Sequence, residues 1–200
     1  MVLILKKLIR YVIYFILFAF LIGCFIYLGK KDYGNPNTKY SDAEKFNLEY
    51  NHVPKDNMFS YVTASDVVSL LENGTGIIYM GFANDEWAQY YVGYLYDVLV
   101  QDGIKKVYYY DLLKDRTRQT KNYQKIVAAL DDYLYDTDNN TKYLFTPAVV
   151  FVINGKIMAY DDETAIIHNS ITPNDYWTAN NIANFKAKIN FYLEEGNYNG

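Results

Sequence analysis

The sequence predicts an α/β domain, a mixed five-stranded sheet flanked by helices, carried behind an N-terminal transmembrane helix. Three observations point there. Short apolar stretches of strand character alternate with stretches of helical period from Phe59 onward, which implies parallel strands joined by helical crossovers. The continuous apolar run Ala148 to Ile153 is followed by Asn154-Gly155, the strongest short hairpin signal, so an antiparallel pair closes the sheet. The first 31 residues differ in kind from all that follows, being apolar, basic at both ends and free of acids.

Within that first segment, Tyr11 to Gly29 carries no charge. As a helix rising roughly 1.5 Å per residue it spans about 28 Å, close to a hydrocarbon core of about 30 Å. Signal-peptide cores are shorter, and no A-x-A cleavage site follows. Tyr11, Tyr14 and Tyr27 lie toward the two ends, where aromatic belts form. Residues 1–31 therefore read as a single-pass membrane anchor. Lys6, Lys7 and Arg10 precede the span and Lys30, Lys31 and Lys39 follow it, a small bias toward an inside N-terminus. A second reading stays open. Leu21-Ile22-Gly23-Cys24 resembles a bacterial lipobox, in which Cys24 is lipidated, although Phe25 to Leu28 continue the apolar run. Both readings tether the domain to a membrane.

Five of the 19 basic side chains and none of the 23 acidic ones fall in residues 1–31. The remainder thus carries 14 basic against 23 acidic groups, a net of −9. Such a domain lacks the basic footprint of a nucleic-acid binder. Cys24 is the only cysteine, which excludes an intrachain disulfide, a CxxC motif and a cysteine-ligated metal. The 23 tyrosines suit half-buried strand positions or a tyrosine-rich binding surface.

Residues 32–55 are polar and aperiodic and read as a linker, with a short helix at Ser41 to Leu48; residues 56–200 form the domain. Phe59 to Val62 is the first strand. Thr63 to Asp66 resembles a capping box and opens a helix with Val67, Val68, Leu70 and Leu71 on its apolar face, ended by Asn73-Gly74. Ile77 to Phe82 is the second strand, Glu86 to Gln101 the second helix and Lys106 to Asp111 the third strand. Thr117 or Thr120 caps a third helix running to about Tyr135, and Asp136 to Lys142 is a polar loop. After the hairpin strand Lys156 to Tyr160, a loop leads to one last helix, Asn174 to Glu195.

The candidate site is the strand, turn and helix start at Gly76 to Ala88, where a group can be held against the positive end of a helix. Asp85 stands at the helix start and is a preferred N-cap type, so it reads either as a cap alone or as a grip for a partner's donor. Trp87 on the first turn is either an exposed apolar anchor or packed against the loop before Pro147. His52 and His168 stand alone, and Asp131 to Asn140 lacks the glycine and terminal Glu of a calcium loop, so no metal and no cofactor is expected. Asp161-Asp162-Glu163 reads as a charged loop.

Three features resemble the thioredoxin fold: the strand-turn-helix at Ile77 to Ala88, Thr146-Pro147 before the buried strand, and the strand-turn-strand Val149 to Ile157. The likeness covers about residues 56 to 195. It is nearest to the thioredoxin-like proteins of low-GC Gram-positive bacteria that include bacteriocin transport accessory proteins. Their pattern is GTG-strand-GFPxCPWC, and Gly74-Thr75-Gly76 and Gly81-Phe82 match it. The resemblance implies a cis-proline at Pro147 and an extracytoplasmic domain on the cell membrane. It puts the two cysteines on Asp85 and Ala88, the intervening Pro-Trp on Glu86-Trp87, and a buried acid on about Tyr79. Disulfide chemistry needs a thiolate, so no thiol-disulfide oxidoreductase activity is expected. The expected function is binding of a protein or extended peptide at Phe82, Asp85, Glu86, Trp87, Thr146 and Pro147. Two alternatives are an accessory subunit of a bacteriocin or other secretion system, and an enzyme that uses Asp85 and Glu86 in place of thiols.

Overall fold

A computed structural model describes residues 40–136, 141–163, 171–196 and 198. The anchor, Cys24, His168 and Asp138 to Asn140 lie outside the described residues; among those described, no helix is long and apolar enough to cross a membrane. From Ser41 onward the chain is one compact unit.

Its elements are α1 (Asp42–Glu49), β1 (Phe59–Tyr61), α2 (Ala64–Asn73), β2 (Gly76–Gly81), α3 (Glu86–Gln101), β3 (Val107–Asp111), α4 (Leu113–Arg118), α5 (Lys121–Ala129), a 3-10 turn (Asp131–Tyr133), β4 (Tyr135–Asp136), β5 (Lys142–Tyr143), β6 (Ala148–Ile153), β7 (Lys156–Asp161), α6 (Pro173–Tyr176) and α7 (Ala179–Gly196). The main sheet has the order β1-β3-β2-β6-β7. β1, β3 and β2 run parallel; β6 is antiparallel to β2, and β7 to β6. This is the expected mixed five-stranded sheet.

Alternation along the central strands divides the core in two. Ile77, Tyr79, Val149 and Phe151 face α1, α3 and α7. Ile78, Met80, Ala148, Val150 and Val152 face α2 and α5. Both faces are covered, which is why β2 and β6 read as unbroken apolar runs rather than alternating ones. The β6–β7 turn uses left-handed backbone at Asn154 (φ 50°) and Gly155 (φ 76°). A Cβ on Gly155 would stand 2.2 Å from the Glu72 carbonyl oxygen, so the turn packs directly on the end of α2.

Capping follows the expectation at Thr63 and Thr120, and the structure adds a cap at Ser41. Ser41 with Glu44, and Thr63 with Asp66, form reciprocal capping boxes. Thr120 caps α5 through the Tyr123 amide.

Four expectations change. Residues 41–55 are not linker: α1 places Phe46, Tyr50 and Val53 in the core with no exposed surface. The Phe46 ring stacks on Phe59 at 4.0 Å and on Tyr50 at 4.5 Å, so stacking across the sheet recruits a polar-looking segment. The third helix starts at Thr120, one of the two expected caps, but ends at Ala129, and a further short helix, α4, closed by left-handed Gln119, precedes it. Polar residues 135–143 form the small antiparallel pair β4–β5, with Lys142 paired to Asp136 at 3.4 Å. The last helix breaks at Trp177, whose ring packs on Tyr94, Phe185 and Tyr176. Thr178 restarts it by accepting from the Asn181 amide.

The tyrosines serve the core. Tyr50, Tyr79, Tyr91 and Tyr109 have no exposed surface. Tyr79 stacks on Tyr91 at 6.2 Å and on Tyr109 at 5.7 Å, and the Tyr50 and Tyr109 hydroxyls meet at 3.2 Å. Aromatic rings thus fill the space between β2, β3, α1 and α3, each hydroxyl finding a partner that makes its burial affordable.

Candidate functional site

β2 ends at Gly81, and the chain turns so that the Asp85 amide donates to the Phe82 carbonyl at 3.1 Å. Asp85 then caps α3. Its backbone is extended (φ −91°, ψ 114°), and one carboxylate oxygen accepts from the Trp87 amide at 2.9 Å. Such a cap contributes about 1 kcal/mol. The other oxygen accepts from the Thr146 hydroxyl at 3.4 Å. The Thr146–Pro147 peptide is cis, as the resemblance implied, and leads straight into β6. Helix start and proline loop therefore meet side by side at one end of the sheet, brought together by the β2–β6 pairing of Met80 with Ala148.

Gln89 braces this turn. Its amide donates to the Ala83 carbonyl within the turn and to the Glu49 carbonyl at the end of α1, both at 2.8 Å. No motif singles out Gln89; only the fold reveals its role.

The six expected site residues separate by burial. Phe82 is half-buried and Glu86 exposed, while Thr146 and Pro147 are buried. Trp87 is buried, only 7% exposed, and its ring packs on Tyr176 of α6, centroids 5.7 Å apart. Trp87 shapes the face from beneath and is not an exposed anchor. Ala88, on which the resemblance puts the second cysteine, is fully buried.

Tyr79 stands about where the resemblance puts a buried acid. Its hydroxyl donates to the Ala88 carbonyl at 3.4 Å. Burial first, and the nearby Asp85 charge as well, push its pKa well above the ordinary tyrosine value despite an opposing contact with Tyr50. The hydroxyl stays protonated at neutral pH.

Behind the turn lies a charged cluster that the sequence reading placed in a loop. Asp161 closes β7 and is only 4% exposed. Burial of the carboxylate is offset by the Tyr91 hydroxyl at 2.9 Å, the Glu163 amide at 3.1 Å and an ion pair with Lys188 of α7. Lys188 also pairs with Glu163, whose other oxygen accepts from the Tyr176 hydroxyl at 2.6 Å. Since Tyr176 packs on Trp87, the cluster connects β7 and α7 to the site turn.

Asp162 belongs to the same cluster. Burial, and next the Asp161 charge, push its carboxyl from the ordinary 3.8 up to about 6. A carboxylate with a raised pKa costs the folded state most above that value, and the cost is relieved as pH falls from about 6 toward 3.8. A shift of about two pH units corresponds to roughly 3 kcal/mol in full, which partial exposure screens to about 1 kcal/mol. Asp162→Asn is thus expected to stabilise the protein by about that much at neutral pH in urea denaturation. The gain should vanish near the ordinary carboxylate pKa; a gain that is independent of pH would contradict this account.

The described residues include no group of three or more His, Cys, Asp or Glu side chains placed to hold a metal ion. His52 is exposed beside Tyr90. No protein-family model matches the chain, and no curated protein matches it.

Proposed function

We propose that the chain is a membrane-tethered, redox-inactive domain of thioredoxin-like fold that binds a protein or extended peptide beside the Phe82 to Trp87 turn and the Thr146–Pro147 loop. The observation that carries this reading is the hydrogen bond between Asp85 and Thr146. It joins the two loops that frame the peptide-binding face of the fold, at the position where the family has its first cysteine. The carboxylate there holds the face together, and no thiol competes for that role. The strand order and the cis-proline before β6 also agree with the resemblance. In thioredoxin-fold proteins the backbone beside this proline pairs with an extended peptide, a form of strand addition that requires no cysteine.

The commitment of both Asp85 oxygens to structural hydrogen bonds favours binding over chemistry at Asp85 and Glu86. The reading is tested in native membranes with a photo-crosslinking residue in place of Glu86, and a control in place of Val100, which is 49% exposed at the far end of α3. A discrete adduct from position 86 alone is expected. Equal smears from both positions, or none, would refute a binding role for this face. In parallel, the purified protein should reduce disulfides no faster than a blank; faster turnover would overturn the redox-inactive assignment.

A further inference from the structure

Arg116 stands beside this face, and no acid among the described residues pairs with it. It lies on α4, directly after β3, at the carboxyl end of the parallel strands where α/β sheets place their ligands. Its guanidinium sits 5.0 Å from the ring centroid of Phe82 and 5.7 Å from that of Tyr143. Phe82 belongs to the site turn and Tyr143 to β5, so two rings on separate segments flank one planar cation. Among the described residues no carboxylate pairs with it: Asp115 on the same helix instead accepts from the Tyr110 hydroxyl at 3.0 Å, and Asp111 caps the Leu113 amide at 3.1 Å. Phe145, next to Thr146, stacks edge-on with Tyr143 at 4.7 Å and continues the aromatic surface toward the proline loop.

The local charge is opposite to that of the domain. Residues 32–200 carry a net of −9, whereas α4 has Lys114, Arg116 and Arg118 against Asp115 alone. A half-buried guanidinium stacked on rings is pre-oriented, so little side-chain freedom is lost when its donors engage a planar acceptor. One guanidinium balances the single charge of a carboxylate and leaves much of a phosphate dianion unmatched. The aromatic neighbours suit an apolar side chain next to that carboxylate.

Building on the binding role proposed above, we propose that Arg116, flanked by Phe82 and Tyr143, is the carboxylate-recognising group of this face, and that the bound peptide is acidic. The carboxylate is either the chain terminus or an Asp or Glu side chain.

The test pans random peptide libraries on the full-length protein in detergent micelles. One library has free carboxyl termini and the other amidated termini. Wild type, Arg116→Gln and Arg118→Gln are compared. A charge-assisted pair of this kind is worth about tenfold or more in affinity. Acid-bearing peptides should therefore enrich on wild type and on Arg118→Gln, and lose about tenfold on Arg116→Gln. Enrichment restricted to the free-carboxyl library identifies the terminus as the ligand; enrichment of Asp or Glu in the amidated library identifies a side chain. Peptides that bind wild type and Arg116→Gln alike, with no acidic preference, would overturn the role of Arg116 and leave the binding role intact. No enrichment over bare micelles in any library would overturn both.

Discussion

Phe46→Ala is expected to cost about 3–5 kcal/mol, the range for a buried phenylalanine whose cavity does not collapse. Against a typical domain stability of about 5–15 kcal/mol, that is a large fraction of the total. The reason is position. Phe46 has no exposed surface and lies between Tyr50 and Phe59, edge-on to Tyr79 and Tyr109. Its removal unsupports the ring cluster that also carries Tyr79, the residue under the site turn. The same logic applies to chain length. A fragment that starts at Asp56 loses Phe46, Tyr50 and Val53 together and is expected not to fold, whereas one that starts at Tyr40 retains the core. Denaturant unfolding read by near-ultraviolet circular dichroism separates these cases. A cooperative transition for the shorter fragment, with the stability of the longer one, would show that α1 is an accessory.

Lys188→Met is expected to cost about 3 kcal/mol at neutral pH, because breaking a buried pair leaves charge uncompensated. Lys188 pairs with both Asp161 and Glu163, and among the described residues the Tyr91 and Tyr176 hydroxyls and one backbone amide would remain around the two carboxylates. Lys188 itself is pulled down by burial and pushed up more by Asp161 and Glu163, for a net rise above 10.5. Its stabilisation is therefore complete below the unfolded lysine pKa and lost as pH rises through the higher folded value. Urea midpoints from acid to alkaline pH test both statements. A Lys188→Met protein as stable as wild type across that range would contradict the account. Because Tyr176 links this cluster to Trp87, the variant should also loosen the site turn, read as faster amide exchange at Trp87 and Ala88.

Much of the fold was legible because its signals are local. The capping box at Thr63 was visible in a few consecutive residues, and so was the turn Asn154-Gly155. The unbroken apolar run at β6 marked a strand covered on both faces. The two halves of the candidate site were also legible as motifs, and the structure brings Asp85 and Thr146 within hydrogen-bond distance. Arg116 was not legible. No motif marks it, and its value lies in Phe82 and Tyr143, which reach it from distant parts of the chain.

One matter was decided by the sequence alone: positions 85 and 88 hold Asp and Ala, and no folding turns either into a thiol. Burial was decided only by tertiary structure. Trp87 turned inward against Tyr176, Asp161 went under Tyr91 and Lys188, and α1 moved from linker into core. The physical reason is that period and capping energies depend on neighbours a few residues apart. Burial depends on which remote segment covers a side chain, and on whether that segment brings the partner its polar atoms require.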